Sequence, residues 1–317
     1  MRYNRQEILK NIGEKGQVKL TEASVVILGV GALGTVVLDI LARAGIGKIK
    51  LIDRDVIELN NLQRQTLFTE EDLGKPKAIV AKEKINLVNS EVEILAHVLD
   101  LDYENVDLLK EDLILDCTDN IYTRFLVNEY SRKNNIPWIY AAIIETKGMT
   151  MNITEKTPCF SCIFKEPEEP LDTCDTAGVL NTLPHALAAI QATEAIKILT
   201  NQEYSRELIN YDLWENNLKK IKIKKSENCK VCQGHYEYLK GKKSKGIIKV
   251  CGSGNYQVKI NKEHMDKIFE KLKFVTNIKT TDECIILKEM ALFKSGRALV
   301  KAKTKEQAKA IVDRYLG

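Results

Sequence analysis

From Ala23 onward the chain alternates short apolar runs with segments whose apolar residues recur at helical spacing. The run VVIL (25–28) has the length and β-branching of a buried strand, and GVGALG (29–34) turns out of it. TVVLDILARAG (35–45) then places apolar residues three and four apart and stops at a glycine, which predicts a helix closed at its C-terminus. IKLID (49–53), LILDC (113–117) and IPWIYAAI (136–143) read as further strands, the last two separated by a helical stretch over 122–133. Strands spaced by helices predict an α/β fold, a Rossmann-like doubly wound and mostly parallel sheet with helices on its faces. TMNIT (150–154) alternates apolar and polar residues, as an added antiparallel strand would. The stretch 183–199, with Pro184 in its first turn, predicts a long helix. Beyond it, IIKVC, EHMDKIFEKL, ECIILKE, GRALVKA and EQAKAIVDRYL alternate strand and helix in a small C-terminal α+β domain. The expected organisation is a domain over 1–238, a basic linker over 239–246 and the small domain over 247–317.

Composition agrees with that picture. The 317 residues are 44% hydrophobic and 29% charged, with few prolines and glycines, as in an ordered globular chain of roughly two domains. No apolar run approaches the ~18 residues a membrane span needs, and MRYNRQ is no signal peptide. A cytoplasmic protein with available thiols is expected, and its eight cysteines need another explanation than disulfides. The net charge of +4 is local: eleven lysines face two glutamates between Lys219 and Lys249, leaving the rest of the chain at −5. Such a belt reads first as a linker or solvated face, not as a nucleic-acid surface.

Gly29, Gly31 and Gly34 form G-x-G-x-x-G directly between a strand and a helix. Glycines there permit a tight turn and let backbone N–H groups approach a phosphate at the helix N-terminus. Asp53, ending the second strand, is placed to accept from ribose hydroxyls. By themselves these residues fit NAD(P), FAD or ATP. Asn61, Arg64, Lys77 and Asp119 follow in DRDVIELNNLQRQ, GKPKA and LDCTDN. Cations and a carboxylate for Mg²⁺ suit a triphosphate better than a nicotinamide, which needs an apolar slot.

Cys159-x-x-Cys162 and Cys229-x-x-Cys232 are two knuckles of the kind that together hold one tetrahedral metal. Zn²⁺ is expected, and an iron–sulfur cluster uses the same ligands. Cys117, Cys251 and Cys284 read as packing residues.

RYNRQ (2–6), GVGALG, LIDRDVIELNNLQRQ, GKPKA, DCTDN, the two CxxC pairs and TAGV, in this order, resemble the ThiF/MoeB/HesA adenylyltransferases, prokaryotic relatives of ubiquitin-activating enzymes. The likeness runs from residue 1 to about 235. It implies ATP-dependent adenylation of the C-terminal glycine carboxylate of a ubiquitin-like protein ending in Gly-Gly, with release of pyrophosphate. It further implies that Asp53 binds the ribose, that Asn61, Arg64 and Lys77 contact phosphates, and that Asp119 is the Mg²⁺-associated carboxylate. Arg5 matches an arginine donated by the neighbouring subunit, which implies a homodimer with composite sites. The knuckles match a structural Zn²⁺ site. Cys174, in LDTCDTAGV, matches a cysteine that some members link covalently to their carrier, although Asp172 and Asp175 beside it oppose thiolate formation. No rhodanese-like domain is present, so a sulfur donor would be a separate protein. Residues 291–317 resemble a tail module of some members and name no chemistry. The competing classes are a catalytically silent scaffold for a ubiquitin-like protein and an NAD(P)-dependent oxidoreductase; the latter lacks any hydride-transfer constellation in the chain.

Overall fold

The computed structural model describes residues 2–166, 177–243, 248–249, 255–260, 265–272, 279–280 and 284–316. The chain forms two compact units: residues 1–73 with 77–243, and residues 244–317 with 74–76.

The first unit opens with two helices, α1 (Asn4–Glu7) and α2 (Gly13–Glu22), which the sequence pattern did not announce. The alternation then begins with β1 (Ser24–Leu28), α3 (Ala32–Ala44), β2 (Lys48–Asp53), α4 (Lys77–Val88) and β3 (Glu93–Val98). It continues through β4 (Leu113–Asp116), α5 (Ile121–Asn134), β5 (Trp138–Ile144), β6 (Lys147–Ile153) and the single turn α6 (Phe160–Ile163). The long helix α7 (Leu183–Leu199) and the hairpin β7 (Leu208–Asp212) and β8 (Asn217–Ile221) complete it. One sheet results, in the order β3-β2-β1-β4-β5-β6-β7-β8. Its first five strands pair in parallel and the last three join antiparallel.

Burial explains which strands read easily. Val25, Val26, Ile27 and Leu28 are inaccessible on both faces, as are Leu113, Ile114 and Leu115, so both strands are unbroken apolar blocks. The strand β8 is the opposite case. It is an edge strand whose five residues are all exposed, and Lys219 and Lys220, the start of the lysine belt, lie on it. Charge on an edge strand discourages pairing with other chains and hides the strand from a hydrophobicity reading.

The second unit is a six-stranded antiparallel sheet, ordered β11-β12-β13-β14-β10-β9. Its elements are β9 (Ile248–Lys249), β10 (Asn255–Lys259), α8 (Met265–Leu272), β11 (Lys279–Thr280), β12 (Cys284–Ile286), β13 (Met290–Phe293), β14 (Arg297–Lys301) and α9 (Lys305–Leu316). Val258, Phe269, Ile285, Leu292, Val300 and Ile311 meet in its core. Cys284 is fully buried there; Cys251 lies outside the described residues. No described helix is long and apolar enough to cross a membrane.

Candidate functional site: a nucleotide loop, its cations and a four-cysteine centre

The strand order reverses between β1 and β4, and the crevice at their C-terminal ends is where an open α/β sheet binds ligands. The glycine turn leaves β1 at that point. Gly29 has φ +82°, and a side chain there would meet the Cys117 carbonyl at 2.8 Å. Gly34 is constrained by space: a Cβ would lie 1.9 Å from the Gly29 carbonyl oxygen, so only glycine lets α3 pack against the turn. At Gly31 the nearest atom to an added Cβ is Gln65 Nε2 at 3.8 Å, so this glycine leaves open room at the loop.

Asp53 ends β2 beside the loop. The Val30 N–H donates to its Oδ2 at 2.5 Å and the Asp55 N–H to its Oδ1 at 2.7 Å. Burial raises its pKa, opposed by the charge of Lys77. Lys77 is the first residue of α4; its N–H donates to the Asp55 carbonyl at 3.0 Å and its Nζ lies 3.7 Å from Asp55 Oδ2. Asn61 closes a 3-10 turn (Leu59–Asn61), accepting from the Glu58 N–H at 3.2 Å, and Arg64 donates to the Asn60 carbonyl at 2.9 Å. Gln65, only 4% exposed, has an Oε1 with no hydrogen-bond partner among the described residues.

The DCTDN segment shows which residues are structural and which are spare. Asp116, fully buried, accepts from Arg124 Nε at 2.9 Å and from Thr118 N–H and Oγ1 at 3.0 and 2.6 Å. Burial pushes its carboxyl up, and Arg124 opposes the shift. Arg124 also donates to the Thr118 and Ala141 carbonyls. Gln191 from α7 donates to the Asp116 and Ile139 carbonyls at 3.0 and 3.2 Å and accepts from the Cys117 thiol. Burial pushes that thiol well up, as expected of a packing residue. Asn120 caps α5, accepting from the Thr123 N–H at 3.2 Å. Only Asp119 is left, exposed and without a hydrogen bond or ion pair among the described residues.

RYNRQ divides the same way. Arg2 donates to the Val88 carbonyl at 2.9 Å, the Tyr3 hydroxyl meets Asn89 and Glu91, and Gln6 donates to Gln17 Oε1 and the Ala44 carbonyl at 2.6 and 3.0 Å. Arg5 is exposed and has no ion pair or hydrogen bond among the described residues.

The two knuckles converge. The four Sγ atoms of Cys159, Cys162, Cys229 and Cys232 lie within 4.8 Å of one another, with the closer pairs 3.5–3.7 Å apart. A tetrahedron with metal–sulfur bonds of ~2.3 Å has edges of about 3.8 Å, so the set fits one ion. Burial, then the nearby Cys162 and Cys232 sulfurs, push the Cys159 thiol far up, and burial contributes to raising Cys232 to about 11. A bound cation would reverse this, because coordination deprotonates the thiol. Helix α5 holds the first knuckle and the segment that follows the second. Asn128 accepts from the Phe160 N–H at 2.8 Å, and Glu129 accepts from the Glu237 and Leu239 N–H groups at 2.9 and 3.0 Å. His235 is exposed and adds no ligand to the four sulfurs. Cys174 lies outside the described residues.

Arg124, Asn128, Glu129, Gln65 and Gln191 were not anticipated. Each is a polar residue on a helix or turn, and each is buried; polar residues surrounded by apolar ones on the same helix, as in TRFLVNEY, are the one signal that marks them.

A glycine turn at the switch point of a doubly wound sheet, an acidic residue closing the second strand and a four-cysteine cluster define an α/β protein of the nucleotide-binding kind. The ThiF family model matches residues 3–231, and the chain belongs to the ThiF family. It is 34% identical to the sulfur carrier protein ThiS adenylyltransferase of Bacillus subtilis, an alignment covering all of this chain and 99% of that one. The Escherichia coli K12 protein of the same name is 36% identical over 74% of this chain and 95% of its own length. Among solved structures, E. coli MccB with ATP superposes with a TM-score of 0.66 at 29% identity, covering 74% of this chain and 75% of that one.

Proposed function

We propose that this protein is an adenylyltransferase that activates the C-terminal glycine of a ubiquitin-like sulfur carrier. The carrier's carboxylate attacks the α-phosphorus of ATP in line, pyrophosphate leaves, and an acyl-adenylate forms. The reaction requires no protein nucleophile; orientation and charge neutralisation suffice. The observation that carries the reading is the selective sparing of Asp119. Its four neighbours in DCTDN are consumed by packing, ion pairing and capping. Asp119, exposed in the turn between β4 and α5, makes no hydrogen bond or ion pair among the described residues and is felt only as a nearby charge by Arg54 and Arg124.

In this reading the glycine turn receives the phosphates and Asp53 the ribose. Arg64, Lys77 and Asn61 bind the polyphosphate, with Lys77 exchanging Asp55 for a phosphate oxygen. Asp119 holds Mg²⁺, which neutralises charge on the phosphates when bound. The four cysteines hold a structural Zn²⁺ that ties the chain's return to α5 and takes no part in the reaction; an iron–sulfur cluster would use the same ligands. Cys174 is the candidate acceptor for onward transfer, with a separate sulfur donor, in the cytoplasm.

Arg5 serves the neighbouring subunit of a homodimer. Tyr3 packs on Gly45, at the C-terminal end of α3, whereas the glycine turn lies at its N-terminal end. Thirteen helical residues separate the two ends by about 20 Å, several times the length of an arginine side chain. Exposed Ile8 and Leu9, 70% and 54% accessible, follow Arg5 and offer apolar surface to a second copy.

The test is ATP–pyrophosphate exchange in the presence of a Gly-Gly-ended ThiS carrier. Arg64→Ala, Lys77→Ala and Asp119→Ala should each lower exchange by about 100-fold or more. Wild-type exchange in all three would overturn the mechanism.

A further inference from the structure

Among the described residues, the helix carrying Arg5 holds to the protein through only one of its own side chains, Gln6, which donates to Gln17 and the Ala44 carbonyl. It is four residues long, buries none of them and has no side-chain cap, so its position must be imposed from outside. The main anchor is Tyr3, whose ring lies where Gly45 lacks a side chain: a Cβ on Gly45 would be 2.6 Å from the ring's Cζ. Gly45 has φ +85° and caps α3, its N–H donating to the Ala42 carbonyl. The Tyr3 hydroxyl accepts from Asn89 Nδ2 at 2.8 Å and donates to Glu91 Oε2 at 3.2 Å. Asn89 is fully buried, spends its other amide hydrogen on the Ala42 carbonyl at 2.7 Å, and follows α4 directly, its own N–H donating to the Ile85 carbonyl.

The socket is therefore built from the C-terminal ends of α3 and α4. Their N-terminal ends carry the glycine turn and Lys77. Tyr3 and Gln6, three residues apart, face the protein, and Arg5 between them cannot share that face. We propose that Tyr3, seated in the Gly45–Asn89 socket, is the positioning residue that presents Arg5 to the neighbouring subunit's nucleotide. The inference rests on the reading of Arg5 as a residue donated in trans. It adds that the far ends of one subunit's nucleotide-binding helices form the mount for the cation completing its neighbour's site.

The arrangement makes a prediction that a merely structural role for Tyr3 does not. The Tyr3→Ala homodimer should lose at least tenfold in ATP–pyrophosphate exchange with a ThiS carrier. Two mixed dimers of differently tagged chains then separate the roles. With Tyr3→Ala on one chain and Asp119→Ala on the other, one site has an intact Asp119 and receives Arg5 from a chain with an intact mount. It should recover to about half of wild type. With both substitutions on one chain and a wild-type partner, the only intact Asp119 faces the broken mount, and exchange should fall to about half the Tyr3→Ala homodimer level. Equal exchange in the two mixed dimers would overturn the positioning role, as would wild-type exchange in the Tyr3→Ala homodimer.

The same pair made with Arg5→Ala tests the reading beneath. If those dimers show the difference and the Tyr3 dimers do not, only the positioning role fails. If neither pair shows it, donation in trans fails and the positioning role fails with it. Tyr3→Phe keeps the ring on Gly45 and loses the hydroxyl. It should reproduce the pattern at smaller amplitude and serves if Tyr3→Ala does not fold.

Discussion

At the residue scale, the motifs are legible because their chemistry is tied to residue type, and the structure shows which member of each is taken up by the fold. The three glycines look equivalent in sequence and are not. Gly29 is required by its backbone conformation and Gly34 by the Gly29 carbonyl 1.9 Å from where a methyl would sit, whereas Gly31 has room. Gly34→Ala should therefore destabilise the nucleotide-free protein by about 2 kcal/mol or more in urea denaturation. Gly31→Ala should stay within about 0.5 kcal/mol of wild type while weakening ATP binding by about tenfold in calorimetry, because under the proposed function its methyl would occupy the space the phosphates approach. Equal destabilisation by both would contradict the geometry. Asp53, the glycines and the cations could be picked out from the sequence because strand ends and turns expose them to reasoning. Arg124 and Gln191 could not, since what makes them matter is the Asp116 carboxylate and the β4 and β5 carbonyls they meet after the chain has folded.

At the scale of elements, runs buried on both sides, such as β1 and β4, were evident, and so was α7 with its proline. The helix α4 was not, because Ala78, Val80, Ala81 and Ile85 do not leave a clean polar face beside Lys77, which is itself buried. Ahead of α4 stands a short turn whose stability can be tested by pH. Asp72 accepts from the Thr69 N–H and hydroxyl at 2.9 Å and from Lys84 Nζ, on α4, at 2.6 Å. Burial alone would raise its pKa, but these donors outweigh it and hold the carboxyl at about 2. A depressed carboxyl stabilises the fold fully above its ordinary value near 3.8 and loses that contribution as pH falls through about 2. Asp72→Asn should thus cost about 1–2 kcal/mol at pH 7, and the gap from wild type should close between about pH 4 and pH 2. The knuckles make a second prediction at this scale. Asn128 holds the first turn and Glu129 the segment that follows the second, and the proposed ion would tie the four sulfurs together. Chelation, or Cys229→Ser, should release the metal and lower Tm by about 10 °C or more. An unchanged Tm with no metal lost would remove the structural assignment.

At the scale of the whole molecule, the chain joins two units of different kinds. The mostly parallel first unit follows from strands separated by helices, since a parallel crossover usually carries one; only the connection from β3 to β4 makes do with a 3-10 turn, Val106–Leu109. The second was legible as a mixture of strand and helix, while its sheet order was not: antiparallel neighbours such as β10 and β14 are far apart in sequence, and short strands of three to five residues carry too little pattern to fix pairing. The relatives differ in how much of this chain they match. The E. coli ThiS adenylyltransferase matches 74% of this chain yet 95% of itself, whereas the B. subtilis protein matches from end to end. All the candidate nucleotide, metal and arginine residues lie in the first unit, which has its own sheet and core. A chain stopped after Lys243 should therefore fold cooperatively and retain ATP–pyrophosphate exchange within about threefold of the full chain, a loss of under about 0.7 kcal/mol in barrier. If instead exchange collapses while the truncated protein stays folded and keeps its metal, the C-terminal unit contributes to activation itself, and the relatives that lack a matching segment must supply that contribution by other means.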